Sequence, residues 1–227
     1  MIPLHIKNKN KSGLLISFEG AEGSGKTTQI IEIKQLIDDL GYKSITIREP
    51  GSTSIGEKIR HILKSSEDEK IIYPEAELLL FAAARAQLVR EVIIPSMRQG
   101  NIVLCDRYLD STVVYQGIAQ NIPNHIVKIV NSLAVGEFIP SLSIVYDIPV
   151  SSGLARVKNR NKGCLDRIEQ KDVTFHQALR AGYLMLAKAS PERFFVVDGT
   201  MDRQKITNIV WNEISTRFDL SKSCSLC

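Results

Sequence analysis

The chain has 227 residues, of which 44% are apolar and 24% charged, with a formal net charge of +4. That length lets a single domain, residues 1–227, bury its own core without disulfide or metal staples, and the composition lies near globular averages and away from disordered chains. The charge is too mild for a nucleic-acid surface, and no apolar run is long enough to cross a bilayer, so neither nucleic acid nor membrane is an expected partner.

The N-terminal MIPLHIKNKNKSG is basic but lacks the apolar core and cleavage site of a secretory leader, and residues 1–12 read as a flexible lead-in. Leu14–Phe18 is a buried strand, and Lys26–Leu40 a helix that stops at Gly41. Ser44–Ile47 is a second strand, followed by the Pro- and Gly-punctuated loop REPGS and a short helix over Ile55–Lys64. Pro74 opens a long helix that Pro95 is expected to stop. Ile102–Cys105 is the third strand, Asp110–Ala119 and Asn124–Val135 are helical, and Leu142–Tyr146 is the fourth strand. A helix over Ser151–Asn161 runs into the basic loop Arg160-Asn161-Lys162-Gly163, inside a lid expected at about residues 150–170. Asp172–Ala189 is helical, Phe194–Val197 is the fifth strand, and Arg203–Phe218 is the last helix. The four cysteines suggest no disulfide framework. Cys105 is a small strand hydrophobe, Cys164 lies in the basic loop, and Cys224 and Cys227 fall in a tail, residues 219–227, expected to fray. The tail has the outline of a prenylation box, but Ser225 is not aliphatic, and a lone C-x-x-C has no second pair for zinc. This usage fits a reducing cytoplasm.

Continuous apolar strands alternating with helices indicate an α/β fold, a three-layer α/β/α arrangement around a five-stranded parallel sheet. Ligands then bind beyond the carboxyl ends of the strands. The polar groups at those ends are Glu19–Thr28, Arg48–Thr53, Asp106–Arg107, Asp147 and Asp198. The first of these stretches carries the strongest signal. Gly20, Ala21, Glu22, Gly23, Ser24, Gly25, Lys26 and Thr27 fit G-x-x-x-x-G-K-[ST] between a strand and a helix. The glycines let successive N–H groups curl around phosphate oxygens, and the helix N-terminus adds partial positive charge. Lys26 reaches the terminal phosphates, and Thr27, with Thr28 behind it, faces Mg²⁺ and ATP. The guanine-reading N-K-x-D is missing, since Asn161-Lys162-Gly163-Cys164 has no aspartate, and a small-molecule kinase is the better reading than a switch GTPase.

A phosphorylated metabolite must be held opposite the donor phosphate, and Arg48, Arg60, Arg85 and Arg107 are the candidate cations. Phe81 and Arg85 stand i, i+4 on an almost wholly apolar helix. They could stack on a base and bond its edge, or be a core ring beside a paired arginine; spacing alone leaves both open. Asp106 follows the third strand, where a carboxylate could hold the metal or form a strand-end ion pair.

Taken together, FEGAEGSGKTT, REPGST, FAAARAQL, DRYLDSTVVYQG and LDRIEQ resemble the thymidylate kinases, in order and over most of the chain. The resemblance implies ATP-dependent phosphorylation of dTMP to dTDP, with Mg²⁺ and as a homodimer. It implies that Phe81 stacks on thymine, Arg85 donates to its carbonyl, and Arg60 and Arg107 clamp the dTMP phosphate. Ser111, Thr112 and Gln116 match the base pocket, Tyr115 the ring under the deoxyribose, and Arg48 to Gly51, with Pro50, the loop over the phosphates. Glu22 matches the acidic residue near the sugar 3′-hydroxyl and the metal's waters, and Thr27, Glu22 and Asp106 form the expected metal set. The P-loop carries no arginine, so the resemblance is to the lid-arginine, bacterial type, with Arg156, Arg160 and Arg167 as alternative catalytic cations beside Lys26 and Arg107. The alternative for the basic segment 156–162, which the lid reading outweighs, is a solvated face. Val113 departs from relatives that carry glutamine there. The acceptor phosphate is already ionised near neutral pH, so no general base is required, and His5, His61, His125 and His176 read as surface or packing residues. A deoxynucleoside kinase with Glu49 as base, and a nucleotide sensor without turnover, are the alternatives.

Overall fold

The structure, a computed structural model, describes residues 13–64, 71–160 and 165–221. The expected N-terminal lead-in, His5, Cys164, Cys224 and Cys227 lie outside the described residues, as does the side chain of Arg160.

Five strands form one parallel sheet: β1 (Leu14–Glu19), β2 (Ser44–Arg48), β3 (Ile102–Asp106), β4 (Leu142–Asp147) and β5 (Phe194–Asp198). Their order is β2-β3-β1-β4-β5. β1 is paired on one side with β3, Leu14 opposite Ile102, and on the other with β4, Ile16 opposite Leu142. The chain lays β2 and β3 on one side of β1 and then crosses to the other side for β4. The strand order therefore reverses at β1, where the connections diverge and leave a crevice.

The helices are α1 (Lys26–Asp39), α2 (Ser54–Lys64), α3 (Pro74–Leu88), α4 (Ile94–Arg98), α5 (Leu109–Thr112), α6 (Asn124–Val135), α7 (Val150–Arg160), α8 (Val173–Ala189) and α9 (Arg203–Arg217). Successive strand residues face opposite layers. Ile16, Phe18, Leu104 and Ile144 pack against Ile30, Ile33 and Ile37 of α1 and Val210 and Ile214 of α9. On the other face, Leu15, Val103 and Cys105 pack against Ala82, Leu88 and Val135, and Val145 against Leu179 and Tyr183. This double coverage is why the strands read as continuous apolar runs. Among the described residues, no helix is long and apolar enough to cross a membrane.

Two helical expectations change. Pro95 does not stop its helix, which runs on through Arg98. A π-helical turn over Val89–Ile93 precedes it, in which Ile94 N–H bonds the carbonyl of Val89. Pro95, which has no N–H to donate, is accommodated just after this widened turn. The expected helix Asp110–Ala119 is the short α5 followed by a second π-helical stretch, Val113–Ala119. Asp172 is the N-cap of α8, its carboxylate accepting from Phe175 N–H at 2.7 Å, and not its first turn.

Candidate active site

A cleft of about 330 Å³ opens at the carboxyl ends of β1, β2 and β3. Its floor is the loop between β1 and α1. Gly25 caps α1 in the left-handed region, φ 96°, and no side chain occupies the cap, so the first N–H groups of a 14-residue helix face the cleft. Lys26 Nζ donates to the carbonyls of Gly20 and Ala21, both at 3.0 Å, and to Ser24 Oγ at 3.2 Å. Burial, and then the charge of Arg107, pull its ammonium down to about 8, which leaves it mostly cationic at neutral pH. Thr27 Oγ1 donates to Asp106 Oδ2 at 2.7 Å, which joins the start of α1 to the end of β3. A hydroxyl and a carboxylate are hard oxygen donors of the kind Mg²⁺ takes when phosphates and waters complete its shell. No cluster of three or more carboxylate, histidine or cysteine residues placed to hold a metal stands among the described residues.

Arg107 forms the opposite wall. Its backbone is left-handed, φ 67°, a conformation that costs a side-chain-bearing residue about 1–2 kcal/mol. Arg107 N–H bonds the Phe18 carbonyl at 3.0 Å, and the next N–H, of Tyr108, bonds Glu19 Oε1 at 2.8 Å. Nη1 donates to the Gly20 carbonyl at 2.9 Å and to Tyr183 Oη at 3.1 Å. Nη2 lies 2.9 Å from Glu22 Oε1 as an ion pair but off the line of a hydrogen bond, and it has no aligned acceptor. Glu22 Oε1 also accepts from Tyr115 Oη at 2.9 Å. Burial opposes the Glu22 charge, but Arg107 and Lys26 outweigh it and hold the carboxyl down at about 2. Glu19, fully buried behind this wall, is pushed the other way, up to about 7, by burial and by Asp110.

Phe81, Thr112, Tyr115 and Gln116 line the inner end of the cleft. The Thr112 hydroxyl is buried without a partner among the described residues. Arg48 and Arg60 line the outer side, Arg48 held by both oxygens of Glu57 at 2.9 Å and Arg60 bonded to the Pro50 carbonyl at 2.9 Å. Arg156 reaches the loop from α7, donating to the Gly23 carbonyl at 3.3 Å. α7 comes this close because it has glycine at the contact. A Cβ on Gly23 would fall 2.3 Å from the Gly153 carbonyl, and one on Gly153 would fall 2.5 Å from the Glu22 carbonyl.

Two expected cations are placed elsewhere. Arg85 is 1% exposed and does not line the cleft. Its Nε donates to Glu49 Oε2 at 2.7 Å, Nη1 to Asn131 at 2.9 Å and Nη2 to the Tyr108 carbonyl at 3.3 Å. Arg167 also lies off the cleft, paired with Glu77 and bonded to the Leu63 carbonyl at 3.1 Å. The strand-end carboxylates Asp147 and Asp198 are likewise off the cleft, one paired with Arg180 and the other bonded to Thr200. His176 is buried and packs edge-on against Phe175.

Residues 18–210 match the family described as thymidylate kinase. The thymidylate kinase of Pelobacter propionicus is 45% identical over 202 residues, covering 87% of this chain and 92% of that protein. That of Geobacter sp. strain M21 is 43% identical over 209 residues, covering 90% and 92%, and that of Kosmotoga olearia 42% over 200 residues, covering 88% and 94%. The chain belongs to the thymidylate kinase family.

All five stretches that suggested the thymidylate kinase resemblance send residues into this one cleft: the P-loop, Arg48 to Pro50, Phe81, Asp106 to Gln116, and Asp166 to Glu169. Lys64, read from the sequence only as the end of a helix, also lines it, paired with Asp166 at 2.6 Å. These partners stand 102 positions apart, so nothing local marks them as a pair. Tyr183, which bonds Arg107 and Ser111 from α8, was missed for the same reason. Gly153 had a local signal: a glycine inside a helix usually marks a close approach.

Proposed function

We propose that this chain transfers the γ-phosphoryl group of ATP to dTMP, forming dTDP and ADP. The observation that carries the reading is the continuity of the cleft. One cavity joins a triphosphate cradle, Lys26 and the start of α1, to Arg48, Arg60 and Arg107, and then to Phe81, Tyr115 and Gln116. A nucleoside monophosphate fits that sequence of walls: its phosphate toward Arg60 and Arg107, its sugar beside Tyr115 and Glu22, its base between Phe81 and the Thr112 and Gln116 polar groups.

Lys26 and Arg107 share the Gly20 carbonyl as acceptor, so the cations meant for donor and acceptor phosphates stand side by side. That offsets repulsion between two anions brought into line. The acceptor's second pKa is about 6, so its oxygen attacks already ionised and no base is needed. Glu49, the base weighed for a nucleoside kinase, is tied to Arg85. Arg156 on α7 supplies further charge to the transferring group, with Arg160 on the same helix as its alternative. Thr27 and Asp106, with Glu22 through water, would hold Mg²⁺, which when bound neutralises charge on the transferring oxygens. The exposed stripe Ile126, Ile129 and Leu133 on one face of α6 supports a homodimer, and the buried free thiol of Cys105 suits a reducing cytoplasm.

The test is ADP release with Mg·ATP across a panel of nucleoside monophosphates, with thymidine beside dTMP. Release should require dTMP, and Lys26→Met should reduce it a hundredfold or more. Turnover on thymidine in place of dTMP, or ADP release indifferent to any acceptor, would overturn the reading.

A further inference from the structure

Glu77 touches no part of the cleft, yet it is 1% exposed in the first turn of α3 and every polar atom it has is engaged. Oε1 accepts from Gln116 Nε2 at 2.7 Å and from Gln120 Nε2 at 2.6 Å, and Oε2 is paired with Arg167. Both oxygens accept and neither donates. A carboxylate has no proton to offer an amide oxygen, so the Gln116 amide can meet it only through its NH₂. The other end of that amide, the carbonyl oxygen, is left for the cleft that Gln116 lines, and no group among the described residues donates to it.

We infer that Glu77 is a specificity-determining positioning residue, which locks the Gln116 amide so that the pocket presents a hydrogen-bond acceptor to the nucleobase edge. The inference rests on the reading above that Gln116 faces the base. An acceptor at that point suits a pyrimidine whose ring nitrogen carries hydrogen, as N3 does in thymine and uracil. It opposes cytosine, whose N3 is itself an acceptor, and two facing acceptors leave both unpaired. Arg167 belongs to the same device, since it takes the oxygen that would otherwise be free to turn.

The chemistry makes an unusual substitution informative. In Glu77→Gln, Arg167 still requires an oxygen, so the new amide must turn its carbonyl to Arg167 and its NH₂ toward Gln116. Gln116 then has to present its oxygen inward and its NH₂ to the cleft. The expected result is at least a tenfold fall in the ratio of kcat/KM for dTMP over dCMP, from a loss on dTMP together with a gain on dCMP, and an unchanged KM for ATP. An unchanged ratio, or equal losses on both nucleotides, overturns the inference, since a merely structural role would lower both alike. Gln116→Ala separates the two levels. If it leaves the ratio unmoved, Gln116 does not read the base and the underlying reading fails. If it moves the ratio while Glu77→Gln does not, only the role of Glu77 falls. Should Glu77→Gln not fold, the unaltered protein still decides: the side-chain NH₂ hydrogens of Gln116, followed by NMR, should exchange slowly before dTMP is added. Fast exchange in the free protein, with protection appearing only on dTMP binding, overturns the inference.

Discussion

At the scale of single residues, the cleft is governed by which charges are paired. Glu22 lies among Lys26, Arg107 and the Tyr115 hydroxyl, and its carboxyl is held at about 2 against an ordinary 4.5. A carboxyl lowered by folding stabilises the fold fully above its unfolded value and loses that contribution as pH falls toward its folded value. Wild type should therefore exceed Glu22→Gln in unfolding free energy by on the order of 3 kcal/mol at most near pH 7. That gap should close between pH 4.5 and about 2, as read from urea unfolding at several pH values; a gap independent of pH would show that Glu22 is not ionically held. Arg85 is a different case, a fully buried cation whose ion-pair partner among the described residues is Glu49. Arg85→Met leaves that carboxylate buried and alone, and should cost about 3–5 kcal/mol in urea unfolding. Adding Glu49→Gln should restore part of the loss, and strict additivity of the two changes would contradict the pairing. The sequence spacing of Phe81 and Arg85 could not choose between base contact and core pairing, because Glu49 and Asn131 meet Arg85 only in three dimensions.

At the scale of elements, the contact between α7 and the P-loop brings Arg156 to the phosphate cradle. Gly153 and Gly23 pass with no room for a Cβ on either. Gly153→Ala should push α7 away from the loop and weaken ATP binding about tenfold, with a much smaller effect on dTMP, as measured by titration of each nucleotide alone. Equal weakening of both would place the contact outside the donor half of the site. The π-helical stretch Val113–Ala119 matters in the same way. It carries Tyr115 and Gln116, and a widened turn re-aims side chains that a regular helix would set at other angles. Apolar periodicity marked a helix there correctly, but it carries no signal for a single extra residue in a turn.

At the scale of the whole molecule, the site exists because the strand order reverses at β1. β3 and β4 flank β1 from opposite sides, so the loop after β1 and the Asp106–Arg107 turn after β3 face one crevice. The outer surface carries a second whole-molecule feature, the exposed Ile126, Ile129 and Leu133 of α6, with Leu133 78% exposed. If two copies meet there, Leu133→Lys should halve the mass seen by light scattering while leaving the circular dichroism spectrum intact. A dimer that survives the change would place the interface on another face.

The strands, the layer class and the P-loop were determined by the sequence alone, because each rests on neighbours in the chain: apolar runs of strand length, a strand-glycine-helix junction, a lysine and threonine at fixed offsets. The motifs also named most of the cleft wall, Phe81 and Asp106 to Gln116 among it. Tertiary structure decided which cations line the cleft and which are paired away from it. Arg107 and Arg156 face the loop, whereas Arg85 and Arg167 answer to Glu49 and Glu77, residues 36 and 90 positions away. A buried charge is settled by whichever partner the fold brings within about 3 Å, and that distance is a property of packing, with no trace in the spacing of residues along the chain.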